Sequence, residues 1–281
     1  MATAKERYDS LTTARTQFLN EAEDASELTL PYLIRGQEEY QGGMRNLKTP
    51  WQSVGAKGVV ALASKLSLAL LPPQSSFFKL QLDESQLGEE FGPEIKSELD
   101  LSFAKIERTI LDAIAASNDR VIVHQALQHL VVGGNALIFM GKEGLKLYPL
   151  NRFVIERDGN GHVIEIVTKE RINKKLVEGY IPDKDESTPI NDEGTADLGK
   201  EECDVYTHVR RDNNRFVWHQ EVYGQILPKS VSKAPADATP WLPLRFNTVD
   251  GEPYGRGRVG QFIGDLKSLE ALSQALVEGS A

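Results

Sequence analysis

The stretch QHLVVGGNALIFMGKEGLKLYPLNRFVIERDGNGHVIEIVTKER, residues 128–171, decides the fold. It opens in a helical pattern that Gly133-Gly134 ends, and from there the apolar residues alternate. Ala136–Met140 and Leu145–Tyr148 read as strands joined by Gly141-Lys142-Glu143-Gly144. Phe153–Arg157 and His162–Arg171 read as strands joined by Asp158-Gly159-Asn160-Gly161, a linker rich in residues that accept the backbone angles a hairpin turn needs. The chain changes period once here, from helical to extended.

Before this switch the pattern is helical. Leu11, Ala14, Phe18 and Ala22 recur at spacings of three and four, predicting a helix to about Ala25. Pro31 and Gly36, Gly42 and Gly43 mark an irregular connection. Thr49-Pro50 predicts a helix start, with the helix running Trp51–Leu70 to Pro72-Pro73. Gly55 and Gly58 inside it each cost about 1 kcal/mol relative to alanine, which points to close backbone packing. Phe77–Leu82 alternates like a short strand. Pro93 opens a helix with Leu99, Phe103, Ile106, Ile110 and Ile114 on one face, and Asp119 caps another that runs through Val131.

Beyond the switch, Val205–Arg211 and Arg215–Tyr223 flank Asp212-Asn213-Asn214, a further hairpin. Val259, Phe262, Ile263, Leu266, Leu269, Leu272 and Leu276 then form an amphipathic helix with one apolar stripe. Helices over 1–131, strands over 135–249 and a terminal helix define an α+β chain.

Composition narrows the function classes. The 281 residues carry a net charge of −9, with 40% hydrophobic and 26% charged residues, the profile of a folded chain. Asp183 to Asp204 contain nine acidic and two basic residues, so most of the net charge sits in one segment. That segment, 182–202, lacks periodicity and is expected to be a mobile surface excursion. An acidic chain is a poor candidate for tight phosphate-gripping DNA binding. The lone Cys203 excludes a disulfide framework and multi-cysteine metal sites. The longest apolar run, Val59–Leu71, is broken by Ser64, Lys65 and Ser67 and is too short to span a bilayer.

The search for chemistry returns little. Gly255, Gly257 and Gly260 fit G-x-G-x-x-G, yet no second strand and acidic residue follow, so the reading is a glycine-rich elbow entering a helix. Gly141-Lys142 lacks the upstream glycine and the following Ser or Thr of a phosphate loop. His124 and His129 are five apart, about 140° around a helix, which places one half-buried and one exposed. His208 and His219 lie on facing strands, with no surrounding cluster that marks a metal site. Glu21, Glu23, Asp24 and Glu27 read as a solvated helix face. The expectation is no catalytic residue, no metal and no cofactor.

Four blocks are more specific than any of these motifs: TPWQSVGAKGVVALASKLSLALLP (49–72), QHLVVGGNALIF (128–139), DVYTHV (204–209) and DGEPYGRGRVGQFIGDLKSLEALSQALV (250–277). In this order they resemble the portal, or head-to-tail connector, proteins of short-tailed phages of the T-seven-like type. The resemblance implies a homo-oligomeric ring of about twelve subunits at one capsid vertex of the virion. Double-stranded DNA passes through its channel, and it is assembled in the host cytoplasm with no membrane association. The implied partners are the terminase large subunit, capsid and scaffold proteins, the tail adaptor and internal core proteins. It further implies that residues 1–257 are a wing and 258–281 the start of the first stem helix, in an N-terminal portion of a longer portal. On that reading Phe262, Leu266, Leu269, Leu272 and Leu276 form the oligomer interface. For Arg256, Arg258 and Lys267 two roles stay open: facing the channel, or inter-subunit ion pairs with Asp265 or Glu270. The rival classes are a metal-dependent nucleic-acid-processing enzyme and a monomeric α+β adaptor.

Overall fold

A computed structural model describes residues 2–35, 47–73, 75–81, 93–177 and 202–280. Its helices are α1 (Ala4–Glu27), α2 (Val54–Leu70), α3 (Pro93–Ala116), α4 (Asp119–Gly133) and the terminal α5 (Ile263–Ser280). The strands are β1 (Asn135–Gly141), β2 (Gly144–Tyr148), β3 (Phe153–Arg157), β4 (Val163–Asn173), β5 (Glu202–Asp212), β6 (Arg215–Val222), β7 (Gln225–Ile226), β8 (Ser232–Pro235) and β9 (Trp241–Arg245). The α+β layout read from the sequence holds.

The strands form two antiparallel sheets. One has the order β2-β1-β9; the other runs β3-β4-β5-β6-β7, with β8 also paired to β6. β9 sits at an edge, which is where its Pro243 can be accommodated without breaking a central ladder. The hairpin at residues 158–161 forms as read: Asp158 Oδ1 accepts from the backbone N–H of Asn160 and His162, and Gly161 takes φ +82°.

The main core lies where α1 and α4 pack together and against the sheets. Leu19, Ala22, Val131, Val132, Leu137, Leu150, Phe153, Ile166 and Tyr254 are all nearly inaccessible. A capping box starts α1, with the Thr3 hydroxyl accepting from Glu6 N–H and the Glu6 carboxylate from Thr3 N–H. Arg15, only 2% exposed, gives its guanidinium to the Tyr8 hydroxyl and to the carbonyls of Leu150 and Phe153, tying α1 to the start of β3.

Several local expectations change. α2 begins at Val54, after Ser53, so Thr49-Pro50 does not start it. Its N-terminus is served instead by Gln52, whose side-chain oxygen accepts from Gly55 N–H. Asp119 lies inside α4 and turns its carboxylate to the N–H of Leu145. Residues 77–81 form no strand: Phe77 and Phe78 meet edge to face, and Leu80 N–H donates to the Glu107 carboxylate of α3 instead of to a neighbouring strand; Leu82 lies outside the described residues. His129 is buried and His124 half-buried, so neither ring is freely exposed. The glycines at 36, 42 and 43 lie outside the described residues. So does the acidic excursion, 182–202, except for Glu202, the first residue of β5.

Candidate functional site

Two glycine-bearing turns meet backbone to backbone where the body of the molecule hands over to α5. Gly134 closes α4 in the left-handed conformation, φ +77°, donating its N–H to Leu130. Against it lies Gly255-Arg256-Gly257. A Cβ on Gly257 would sit 2.1 Å from the Val132 carbonyl oxygen, and one on Gly255 would sit 2.7 Å from the Gly134 oxygen. Only glycine permits this approach.

Asn135 locks the two turns. Its side-chain nitrogen donates to the carbonyls of Gly255 (2.7 Å) and Gly133 (3.0 Å), while its side-chain oxygen accepts from Gly255 N–H (2.7 Å). Arg258 N–H donates to the Val131 carbonyl at 2.8 Å, and Asn247 and Arg256 exchange backbone bonds. Beneath them Tyr254 is fully buried, its hydroxyl accepting from Ile155 N–H; burial pushes that phenol up to about 12. The elbow inferred from the glycine spacing is therefore a fixed joint. Asn135 was not singled out by sequence reasoning. Its signal was available: an amide directly after Gly133-Gly134 can satisfy both an N–H and a C=O of a second backbone.

The base of α5 is tied down by charge. Lys267 reaches Asp24 at 2.9 Å; Glu270 accepts from Trp51 N–H (2.9 Å) and Gln52 N–H (3.4 Å), just ahead of α2. Arg256 pairs with Glu252 and with Glu21 at 3.2 Å, and its guanidinium lies over the Phe18 ring. Arg256 is therefore held up, and Glu252 down, from their ordinary pKa values, each by its hydrogen bonds to the other first. Arg258 bonds Gln261 and covers the Phe262 ring, while Asp265 is exposed. Glu21 and Asp24 thus serve as anchors for the elbow and α5, not merely as a solvated face. Within one chain, Arg256, Lys267 and Glu270 are already engaged with α1 and the approach to α2.

The apolar residues of α5 divide. Leu266 packs on the main core beside Gly55, together with Ile263. Leu269 is half-buried. Phe262, Leu272, Leu276 and Val277 are 46%, 63%, 73% and 50% exposed. Leu269, Leu272 and Leu276 fall within an arc of about 60° around α5, with Phe262 just ahead of its first turn, so they make a strip that this chain leaves largely bare. α3 also leaves part of its apolar face open, with Ile106 and Ile110 exposed. No described helix is long and apolar enough to cross a membrane.

The structure is an α+β body with a clamped joint feeding an amphipathic helix that it leaves largely bare. The family of bacteriophage head to tail connecting proteins matches residues 1–281, and this chain belongs to that family. It is 36% identical over 285 residues to the portal protein of Enterobacteria phage T3, which covers 99% of this chain and 52% of that protein. It is 33% identical over 286 residues to the portal protein of Escherichia phage T7, again 99% and 52%. The portal protein of Enterobacteria phage SP6 is 26% identical over 277 residues, 98% of this chain and 52% of that protein. The chain spans about half the length of these relatives.

Proposed function

We propose that this chain is the wing and stem-base part of a phage portal subunit, which assembles as a ring at one capsid vertex. Double-stranded DNA passes through the ring, and the terminase, scaffold and capsid, tail adaptor and internal core proteins dock on it. The observation that carries the reading is the largely bare strip of Leu269, Leu272 and Leu276 on α5, with Phe262 just ahead of it, above a base held by the elbow and its ion pairs. Such a strip loses roughly 25 cal/mol for every Å² left in water, and stems of neighbouring subunits cover it. The eighteen residues of α5 make about 27 Å of helix, enough to line a good part of a channel wall.

The joint suits a body that must hold its stem at a fixed angle while force acts along the channel. Lys267 and Glu270 face α1 and the start of α2, so the wet lumen belongs to other residues of α5. Arg258 and the exposed Asp265 are better placed for inter-subunit contact or for the channel than Arg256 is. On this reading the subunit has a structural role: Gly255 and Gly257 of the G-x-G-x-x-G spacing are taken up by the elbow, and Gly141-Lys142 lies at a β-hairpin turn.

Sedimentation and negative-stain imaging of the purified protein test the reading. Annular particles of uniform diameter are expected. A strictly monomeric species at all concentrations, or metal-dependent DNA cleavage abolished by substituting one of its own carboxylates, would overturn it in favour of an adaptor or an enzyme.

A further inference from the structure

On the six-stranded sheet, beneath the N-terminus of α1, lies a polar cluster that the portal reading does not use. His208 on β5 and His219 on β6 are direct register partners, their ring centroids 5.4 Å apart. Glu221 is two residues along β6, on the same face as His219. One ligating atom from each of His208, His219 and Glu221 lies within 4.8 Å of the others. Their side chains are 11%, 20% and 8% exposed.

The surroundings hold these groups in place. Glu165 on β4 accepts a hydrogen bond from His208 Nε2 and is itself gripped by Arg7 of α1. Glu221 uses one oxygen on His219 Nε2 (2.8 Å) and the other on the N–H of Ala4, the first residue of α1 (2.6 Å). Arg7 reaches on to Glu156 at 3.0 Å, on the far side from the histidine pair.

We infer that His208, His219 and Glu221 form a binding site for one divalent transition-metal ion of the zinc class. Two imidazoles and a carboxylate are the donor set such ions take, in preference to the all-oxygen sets of magnesium and calcium. A His208 ring that gives its Nε2 proton to Glu165 keeps a lone pair on Nδ1. A carboxylate behind a ligating histidine is the usual way its tautomer and orientation are set. Glu165 and Glu221 bring two negative charges against the single positive charge of Arg7, so the surroundings of the histidine pair favour a cation. The ion replaces the His219–Glu221 hydrogen bond and joins β5 to β6. Through the bond from Glu221 to Ala4 it joins both strands to α1. The sequence presents the two histidines; the missing member was Glu221, visible only once the β5–β6 register brings His219-x-Glu221 under His208. The inference is independent of the portal reading, since the cluster is remote from α5.

Titration of the chelator-stripped full chain with Co²⁺ and then Zn²⁺ tests it. One Co²⁺ per chain is expected, with the visible absorption of a low-coordinate site, displaced by equimolar Zn²⁺, and a melting temperature that rises with excess Zn²⁺. His219→Gln should weaken binding by at least about tenfold. Glu221→Gln keeps an acceptor for Ala4 N–H while removing the charged ligand, and should weaken binding with the circular dichroism unchanged. His162→Gln, at an exposed histidine paired with Asp158, should leave binding intact. No stoichiometric Co²⁺ uptake by the wild-type chain, or uptake undiminished in both His219→Gln and Glu221→Gln, would overturn the assignment.

Discussion

α4 and α5 are built from similar material and meet opposite fates. Each carries eight residues from the set Ala, Val, Ile and Leu, within fifteen residues in α4 and eighteen in α5. α4 buries eight consecutive residues, Ala126 to Gly133, on every side; α5 buries none. Apolar content therefore does not decide which helix is core. α4 is enclosed because α1, α2 and the strands β1 and β2 that follow the Gly133-Gly134 switch close around it. The chain leaves that enclosure after Val259, and α5 touches it at its base through Ile263, Leu266, Lys267 and Glu270. The first helix is complete in a single chain, and the second is left with an apolar strip to be covered.

The joint between them is where this contrast is most easily broken. Gly257→Ala puts a methyl group 2.1 Å from a backbone oxygen, which no rotamer change relieves. The two turns must separate, taking the Asn135 and Arg258 hydrogen bonds with them. A loss of at least roughly 3 kcal/mol is expected, read as a lower denaturation midpoint. Gly58→Ala is the matched control. A Cβ there meets nothing within 4 Å, so the substitution should be neutral or stabilise by up to about 1 kcal/mol.

The enclosed side can be probed by pH. Burial holds the His129 ring down at about 4, against an ordinary 6.5, and its Nδ1 has no hydrogen-bond partner. Between these values the unfolded chain binds a proton that the folded chain refuses. Stability therefore falls as the pH drops from about 6.5 to about 4. The gap corresponds to about 3 kcal/mol. His129→Leu should remove this step, while the native chain shows it in urea melts across that range. Glu165 works lower. Burial opposes its ionisation, but the hydrogen bonds from His208 and Arg7 prevail and hold it near 2. Its contribution is present above the ordinary carboxylate value of 4.5 and is lost as the pH falls from there through about 2, almost wholly below the His129 window.

How much of this was legible depended on how local the determinants are. The hairpin at Asp158–Gly161 and the β5–β6 hairpin were readable because turn chemistry and alternation act over a few neighbours. So were α1 and α4, whose periods are long and uninterrupted. β7, β8 and β9 were missed: they are short, and Pro228, Pro235, Pro240 and Pro243 break their pattern. The start of α2 was misplaced because Gln52 and the distant Glu270 serve its N-terminal region in place of Thr49. The elbow was legible from Gly255 and Gly257, but its lock, Asn135, is 120 residues away. Gly55 did mark a close approach, to Leu28 and Thr29, and Gly58 did not. The charged residues near α5 were visible as a group, whereas their partners on α1 depend on tertiary placement.

Within α5 itself the boundary between its two fates can be located. Leu266→Ala removes a half-buried side chain from the rim of the main core and should cost about 1–2 kcal/mol, detectable by chemical denaturation even in a monomeric preparation. Leu269→Ala, at the edge of the strip, should cost less.

Leu272→Asp and Leu276→Asp should cost the folded chain least of all, within about 0.5 kcal/mol. At 63% and 73% exposure these side chains make few contacts to lose, and a carboxylate there stays in water. Their effect belongs to the assembly. In the proposed ring, where stems pack side by side, each copy would carry the substitution into the interface, an unpaired carboxylate there would be costly to bury, and ring closure would repeat that cost at every contact. The expected outcome is a chain with an unaltered denaturation midpoint that sediments as a monomer where the native chain sediments as a ring. A lowered midpoint would mean that α5 folds back on its own chain in solution. Rings of normal size from either variant would mean that the strip faces the channel or solvent and that neighbouring subunits meet elsewhere, with the exposed Ile106 and Ile110 of α3 the next surface to test.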